Sequence, residues 1–464
     1  MSKIIEFIYS KSPVFFQNVA ISIYGYFWKR RRFGGVFDVN KELFRSRNSY
    51  SKLKWNNYQT IELRKILIHA FDNVPFYTEK YKKHGFKRSD FEIFKLSDIQ
   101  KLPFLEKEEL RKYGSTSLLS KTRGKGEFHS SSGSTGTPTS IFYSPTFHQT
   151  WSAAFEVRIR EWAGLNNKMK RGMIGGRRVV STANSNGTLY RYNTAEKQVY
   201  FSAYHISNKT VANYLEGIIK YQVDYMTGYA MSNYFLASFI EKSELKAPKL
   251  SAVITSSEKL TPEMRATFRR VYGCETYDSY SGVEACGLIS ENEYGQLLFS
   301  PDTGVMEFLN DVGLECSLGE EGEIVSTGFL NYDQPLIRYR IGDKAKISLD
   351  QKNKCGRNMV VVDEIVGRVE DKIIGPDGRE IVRFHSLFAD IPSLVLAQII
   401  QETLTDYTIL IVVEDEFKKS SSDIIKSRFK SQLGDVTINI NKVLEIPKNK
   451  NGKFQAVISK LKNS

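Results

Sequence analysis

The chain has 464 residues and a formal net charge of +14, with 41% apolar and 12% aromatic residues. That length needs more than one ordinary domain, and the aromatic content excludes a disordered chain. Four cysteines, Cys274, Cys286, Cys316 and Cys355, lie far apart with no C-x-x-C spacing, so neither a disulfide framework nor a zinc ribbon is signalled and a reducing, cytoplasmic compartment is expected. The positive charge invites an anionic partner, but the lysines are scattered and no nucleic-acid motif occurs, so no nucleic acid is expected among the partners.

From the N-terminus, Ser12 to Trp28 is a seventeen-residue run without a charge, followed by Lys29-Arg30-Arg31-Arg32. It is too short and too diluted by Gln17, Asn18, serines, a proline and a glycine to span a bilayer, and its charges stand on the wrong side for a secretory signal. Two readings stay open: a segment within residues 1–33 lying on an anionic membrane surface, or a helix packed on the protein's own surface. Ile61, Leu63, Ile66, Leu67, Ala70 and Phe71 then recur at helical spacing until Asn73-Val74-Pro75 stops the pattern. Ser97 opens a short helical pattern broken at Pro103, and Glu106 to Lys112 reads as an exposed helix.

Next comes Ser130-Ser131-Ser132-Gly133-Ser134-Thr135-Gly136-Thr137-Pro138-Thr139-Ser140, a run of hydroxyls and glycines that suits a phosphate cradle. The spacing is not that of a Walker A loop, and such runs also serve as linkers, but the apolar Ile141-Phe142-Tyr143 that follows reads as a strand. Phe155 to Trp162 reads as a helix, and helices alternate with short buried strands such as Ala252-Val253-Ile254-Thr255 as far as about Tyr280, an α/β pattern. From there to about Glu370 the texture is strands and turns (Val305 to Leu309, Gly322 to Thr327, Met359 to Ile365). The tail carries a strand at Tyr407 to Val413, an amphipathic helix at Ser422 to Leu433 and a strand at Val436 to Ile440, a compact α+β unit. The expected division is an N-terminal helical and aromatic extension over 1–60, a core over 61–369 with a β-rich subdomain, and a C-terminal domain over 370–464.

Four polar stations follow the hydroxyl run. Glu284, in Tyr280-Ser281-Gly282-Val283-Glu284, could hold Mg²⁺ against a phosphate or simply sit in a surface turn. Asp343, after Leu336-Ile337-Arg338-Tyr339-Arg340-Ile341-Gly342, could bond a ribose diol or cap a turn. Arg368, in Gly367-Arg368-Val369-Glu370-Asp371, suits phosphate or ribose, or a structural ion pair. Lys453 follows Gly452 near the C-terminus, where a lysine is otherwise a solvated charge.

In this order the hydroxyl/glycine run, Tyr-x-Gly-x-Glu, Arg-x-Gly-Asp, Gly-Arg-x-x-Asp and the late Gly-Lys resemble the adenylate-forming superfamily of acyl-coenzyme A ligases, nonribosomal adenylation domains and luciferases, from about Ile61 to Lys453. The stretch Leu67-Ile68-His69-Ala70-Phe71-Asp72-Asn73-Val74-Pro75-Phe76-Tyr77, with Lys101-Leu102-Pro103-Phe104 and Lys107, is similar to the phenylacetate-coenzyme A ligase branch, and most to its CapK-like members associated with capsular polysaccharide synthesis. The resemblance implies an α/β adenylation domain followed by a small, mobile α+β C-terminal domain. It implies ATP and Mg²⁺ as cofactors, coenzyme A as a further candidate, and ligation of a small carboxylic acid to an acceptor thiol, amine or sugar. Ser132, Gly133, Ser134, Thr135 and Gly136 would hold the β- and γ-phosphates; Thr137 stands where many members carry a lysine. Ser256, Ser257 and Glu258 would border the adenine, with Tyr280 stacked on it; Glu284 would bind Mg²⁺, Asp343 the ribose, and Arg368 the ribose or α-phosphate. Lys453 would reach the α-phosphate and carboxylate oxygens, Glu370 would be the hinge, and Tyr204, His205 and Tyr229 would lie at the acid pocket. Some relatives carry a Cys/His set after the glutamate; Cys286 is present here, but no histidine lies between it and Tyr332, which disfavours zinc. Aryl-acid coenzyme A ligation and a non-catalytic nucleotide-binding protein of the same fold are the alternatives, and the location implied is the cytoplasm or the inner face of its membrane.

Overall fold

The structure is a computed structural model that describes residues 8–9, 11–130, 139–175, 179–180, 187–203, 205–368, 373–376, 380–381, 385–388, 391–447 and 454–461. It separates into two compact units, one of residues 1–341 and 346–365, the other of residues 342–345 and 366–464.

Helix α1 (Val14–Phe33) opens the first unit and, later, α2 (Lys52–Asn73) runs through its core, burying Leu63, Ile66, Leu67 and Ala70. The helix starts nine residues before the apolar spacing suggests, because Ser51 Oγ accepts from Lys54 N and caps it while most of its first turns face solvent. A hairpin of β1 (Glu127–Ser130) and β2 (Ser140–Tyr143) follows. Helix α3 (Pro145–Phe155) comes next, capped by Ser144 with proline in its first turn; it begins ten residues before the helix expected at Phe155 and passes into a π-turn at Glu156–Arg160. That turn is fixed by buried pairs: Arg158 Nη2 to Asp302 Oδ2 at 2.6 Å and Arg160 Nη1 to Glu156 Oε2 at 2.6 Å.

The centre of the unit is a mixed sheet. Parallel strands β3 (Arg171–Gly175), β5 (Gln198–Ser202), β6 (Tyr225–Tyr229), β7 (Ala252–Ser256) and β8 (Glu275–Tyr280) lie side by side in the order β5-β3-β6-β7-β8, with β4 (Tyr190–Asn193) antiparallel on the edge. The connections from β5 to β6, β6 to β7 and β7 to β8 are helical: α4 (Val211–Lys220), α5 (Ala230–Lys242) and α6 (Pro262–Tyr272). Parallel strands need such crossovers, and the helices cover Val199, Met226 and Val253 with an apolar layer. Beyond β8 the sheet continues through antiparallel strands, among them β9 (Ile289–Glu291), β10 (Leu297–Phe299), β11 (Gly304–Leu309), β12 (Glu321–Gly328), β13 (Tyr339–Ile347) and β14 (Val361–Arg368). This is the β-rich texture expected after Tyr280.

The second unit holds a four-stranded sheet whose central hairpin pairs Leu394–Gln401 with Asp406–Val413; helix α7 (Lys419–Leu433) covers it, packing Ile425, Phe429 and Leu433 on Ile399, Tyr407, Ile409 and Ile411.

Candidate active site

Strands β1 and β2 pair with Glu127 opposite Tyr143 and Ser130 opposite Ser140, so the hydroxyl/glycine run joins two neighbouring, hydrogen-bonded strands. Ser132, Gly133, Ser134, Thr135 and Gly136 themselves lie outside the described residues. What returns from the run is held hard: Phe142 N donates to Gln334 Oε1 at 2.6 Å, Asn331 Nδ2 to Phe142 O at 3.1 Å, and Arg31 Nη2 to Tyr143 O at 2.8 Å.

Two bonds tie this flank to the turn that carries Glu284. Buried Thr139 donates through Oγ1 to Glu284 Oε1 at 3.1 Å, and Tyr143 Oη donates to Val283 O at 2.7 Å. The turn is tight enough that a Cβ on Gly282 would meet Glu284 Oε2 at 2.2 Å, so glycine there leaves room for the carboxylate to fold back over its own backbone. The half-buried Glu284 carboxylate therefore stands beside the end of the hydroxyl run, 145 residues away in sequence. The Glu284 carboxylate beside the Thr139 hydroxyl offers oxygen ligands of the kind a hard divalent cation takes, so these two residues suit Mg²⁺. Nothing in the sequence spacing singled out Thr139 as the anchor.

The other described candidates of the first unit gather at the carboxyl ends of the parallel strands, the side on which open α/β sheets bind ligands. Tyr229 ends β6, Ser256 ends β7 opposite it, Ser279 lies opposite Ser256, and Tyr280 follows as the last residue of β8. Ser257 turns the chain over the strand end with φ +69°, in the left-handed region. Glu258 Oε2 accepts from Met231 N at 2.9 Å, which puts a carboxylate on the positive end of α5 and braces the β7 loop against the helix that follows Tyr229. His205 lies three residues past β5, its Nδ1 sharing a 2.7 Å hydrogen bond with Ser202 Oγ, while Tyr214 Oη donates to Ser202 O at 2.6 Å. Tyr204 is outside the described residues.

In the second unit, Asp343 is half-buried in β13 directly after Gly342. Arg368 closes β14; its side chain, Glu370 and Lys453 lie outside the described residues. Of the two arginines before Asp343, Arg338 is buried and structural. Its Nε and Nη2 donate to Glu307 at 3.0 and 2.8 Å, and Nη1 to Leu102 O at 2.6 Å and Gln100 O at 2.9 Å. The stretch around Tyr77 locks the same segment, Tyr77 Oη donating to Pro335 O at 3.1 Å and accepting from Ile337 N at 3.0 Å.

A group that the sequence did not single out sits under this edge. Asp278, in β8, accepts from Ser279 N at 2.9 Å and Thr255 Oγ1 at 3.2 Å, and its own N–H donates to Glu291 Oε2 at 2.8 Å. Burial, and then the neighbouring Glu291 charge, push its carboxyl up to about 7. Because the folded value lies above the ordinary carboxylate value, the folded chain holds a proton that the unfolded chain has lost across the window up to about pH 7. Stability from this group falls as pH rises through that window. Asp278→Asn is expected to gain thermal midpoint relative to the parent on going from about pH 5 to about pH 8; a difference independent of pH would refute the assignment.

Comparison with known proteins bears on the fold and the family likeness. Residues 373–460 match the CapK C-terminal domain family. Over 467 aligned residues the chain is 24% identical to Protein CapK of Staphylococcus aureus, covering 99% of this chain and 100% of that protein. It is 25% identical to phenylacetate-coenzyme A ligase of Pseudomonas putida over 73% of this chain and 76% of that one. The fold matches a 2-hydroxyisobutyryl-CoA ligase solved in the postadenylation state with an acyl-AMP, at a TM-score of 0.69 and 16% identity, covering 89% of this chain and 91% of that one. Strand order and these likenesses together make the chain a protein of the adenylate-forming ligase fold, similar to CapK and the phenylacetate-coenzyme A ligases, with residues 373–460 similar to the CapK C-terminal domain family.

Proposed function

We propose that the chain is an ATP- and Mg²⁺-dependent ligase that activates a small-molecule carboxylic acid. A carboxylate oxygen attacks the α-phosphorus of ATP, the bond from that phosphorus to the bridging oxygen breaks, and pyrophosphate leaves with the electron pair, giving an acyl adenylate. The acyl group then passes to an acceptor thiol, amine or sugar, which loses its proton as AMP leaves, in capsular or surface polysaccharide synthesis. The observation that carries this reading is the contact of Thr139 with Glu284, which brings a carboxylate beside the end of the hydroxyl/glycine run. The likenesses to CapK and to acyl-coenzyme A ligases support ligase chemistry.

Ser132, Gly133, Ser134, Thr135 and Gly136 take the β- and γ-phosphates in this reading, and Glu284 would hold a Mg²⁺ whose charge would offset that of the departing pyrophosphate. Ser256, Ser257 and Glu258 border the adenine and Tyr280 stacks on it; Asp343 takes the ribose hydroxyls; Arg368 takes the ribose or the α-phosphate, and Lys453 reaches the α-phosphate and carboxylate oxygens as a charge clamp, not as a base. Tyr204, His205 and Tyr229 line the acid pocket, and Glu370 is the hinge about which the C-terminal domain turns between the half-reactions. The relatives that are phenylacetate-coenzyme A ligases favour a second reading, in which coenzyme A is the acceptor. A cytoplasmic location at the inner face of the membrane goes with the first.

The test is acid-dependent exchange of labelled pyrophosphate into ATP across aryl, fatty, hydroxy, amino and uronic acids, with no acceptor added. Exchange with one class is expected, and consumption of free coenzyme A with that acid would select the second reading. Silence across the panel, with ATP binding intact, would leave a nucleotide-binding protein and overturn the enzymatic reading.

A further inference from the structure

Helix α1 is inside out. At 3.6 residues per turn Phe15, Phe16, Val19, Ile23, Tyr26 and Phe27 fall within an arc of about 120°. All six face solvent, Phe15 with 70% of its surface exposed, Phe27 with 65% and Phe16 with 60%. The opposite side, turned to the protein, is polar. Asn18 Oδ1 accepts from Tyr192 N at 3.0 Å and Ser22 Oγ from Thr194 N at 3.0 Å; Arg191 donates to buried Gln17, and Lys29 Nζ to Ala195 O at 3.0 Å. Gly25 lets Asn193 approach so closely that a Cβ there would fall 2.2 Å from its side chain. The polar face satisfies backbone donors of edge strand β4 and its flank, and this anchoring dictates that the aromatic face points outward.

Charge selects what that face meets. Between Glu6 and Asp38 the chain carries Lys11, Lys29, Arg30, Arg31 and Arg32 and no acidic residue. Arg31 and Arg32 are held inward by Glu127 and Glu196, whereas exposed Arg30 lies on the same side of the helix as the aromatics. No helix among the described residues is long and apolar enough to cross a membrane. Tyrosine and phenylalanine flanked by arginine and lysine, lying along a surface helix of 20 residues, match the headgroup layer of an anionic bilayer. We infer that the outward face of α1 docks the protein flat on an anionic lipid surface, through Phe15, Phe16, Val19, Ile23, Tyr26 and Phe27 with Arg30 at its edge. This gives the inner-face location in the reading above a defined surface, and it does not depend on adenylation.

The same helix is joined to the hairpin that bears the hydroxyl run. Trp28 packs on His129 and His148 at ring distances of 5.8 and 5.0 Å, and Arg31 pairs with Glu127 at 3.4 Å. Docking therefore fixes the hairpin's orientation to the lipid plane.

The experiment is co-sedimentation of the full chain with vesicles of phosphatidylcholine alone or mixed with phosphatidylglycerol, alongside light scattering and lipid-free pyrophosphate exchange on the same samples. The parent is expected to sediment only with the anionic vesicles, and less at high salt. Arg30→Glu, a change of two charges, should weaken binding about thirtyfold, from the energies of basic residues near such surfaces. Phe16→Ser/Ile23→Ser/Phe27→Ser should reduce it at least about a hundredfold, since insertion scales with buried apolar area. These side chains are exposed, so thermal midpoint and exchange should stay at parental values in both variants. A parent that stays in the supernatant with anionic vesicles overturns the inference; so does a parental dimer that the triple variant dissolves, which would assign the face to a second copy. Exchange without lipid binding would sink this inference and leave the ligase reading standing, and binding without exchange would do the reverse.

Discussion

Glu284→Gln is expected to lower acid-dependent pyrophosphate exchange by about 10²–10³-fold, the scale on which one preorganised electrostatic contact to a transferring phosphoryl group acts. Glutamine keeps the size of the side chain and can still accept from Thr139, so the tight turn over Gly282 and the bond at 3.1 Å survive in shape. What goes is the negative charge, which a hard cation needs more than any neutral oxygen. The residual activity should demand much more Mg²⁺ for half-saturation, while ATP-induced stabilisation in the absence of metal should barely change. Exchange within about threefold of the parent would remove Glu284 from the metal site, because losing even one such contact costs more than that. The result also bears on how the site is assembled. Thr139 and Tyr143 hold the glutamate turn against the returning strand of the hairpin, so Glu284 is fixed relative to β2.

Arg338→Ala should cost about 3–5 kcal/mol of stability, measured by denaturant midpoint at constant slope, since it leaves a buried carboxylate without its partner. Glu307 is already pushed above the ordinary carboxylate range by burial, with Arg338 the opposing influence. Removing the guanidinium also orphans Gln100 O and Leu102 O and frees a backbone held at φ +48°, a conformation that non-glycine residues adopt only under constraint. The double change Arg338→Met/Glu307→Leu should recover part of the loss, because apolar groups of similar volume need no partner. Arg340 supplies the contrast. It pairs with Glu323 at 3.0 Å but keeps 41% of its side chain exposed, so Arg340→Ala should cost less than about 1 kcal/mol. Equal losses at the two positions would mean that burial is not what separates them.

Elements with an internal signal were legible in the chain. Ala252 to Thr255 and Tyr407 to Val413 are apolar, β-branched runs bounded by turns, and each is a strand. Boundaries failed where a cap, not an apolar residue, begins the helix. Ser51 and Ser144 each accept a backbone N–H and start helices that the apolar pattern placed nine and ten residues later. The candidate motifs could be read in order along the chain because each is a short run of special residue types. Their mutual distances could not, since contacts across 145 residues leave no local trace.

The sequence by itself determined the α/β character, the alternation of helices with buried strands up to Tyr280, the β-rich stretch after it and the separate α+β tail, because hydrophobic periodicity and turn residues act locally. Only the tertiary structure decided that Thr139 holds Glu284, that Tyr229, Ser256 and Ser279 stand in register on one sheet edge, and that Arg338 is buried while Arg340 is not. It also decided which way α1 faces. The uncharged run from Ser12 to Trp28 carries both polar and aromatic residues, and either side could have turned inward. The backbone donors along edge strand β4 needed acceptors, Asn18 and Ser22 supplied them, and the aromatic side was left to the outside.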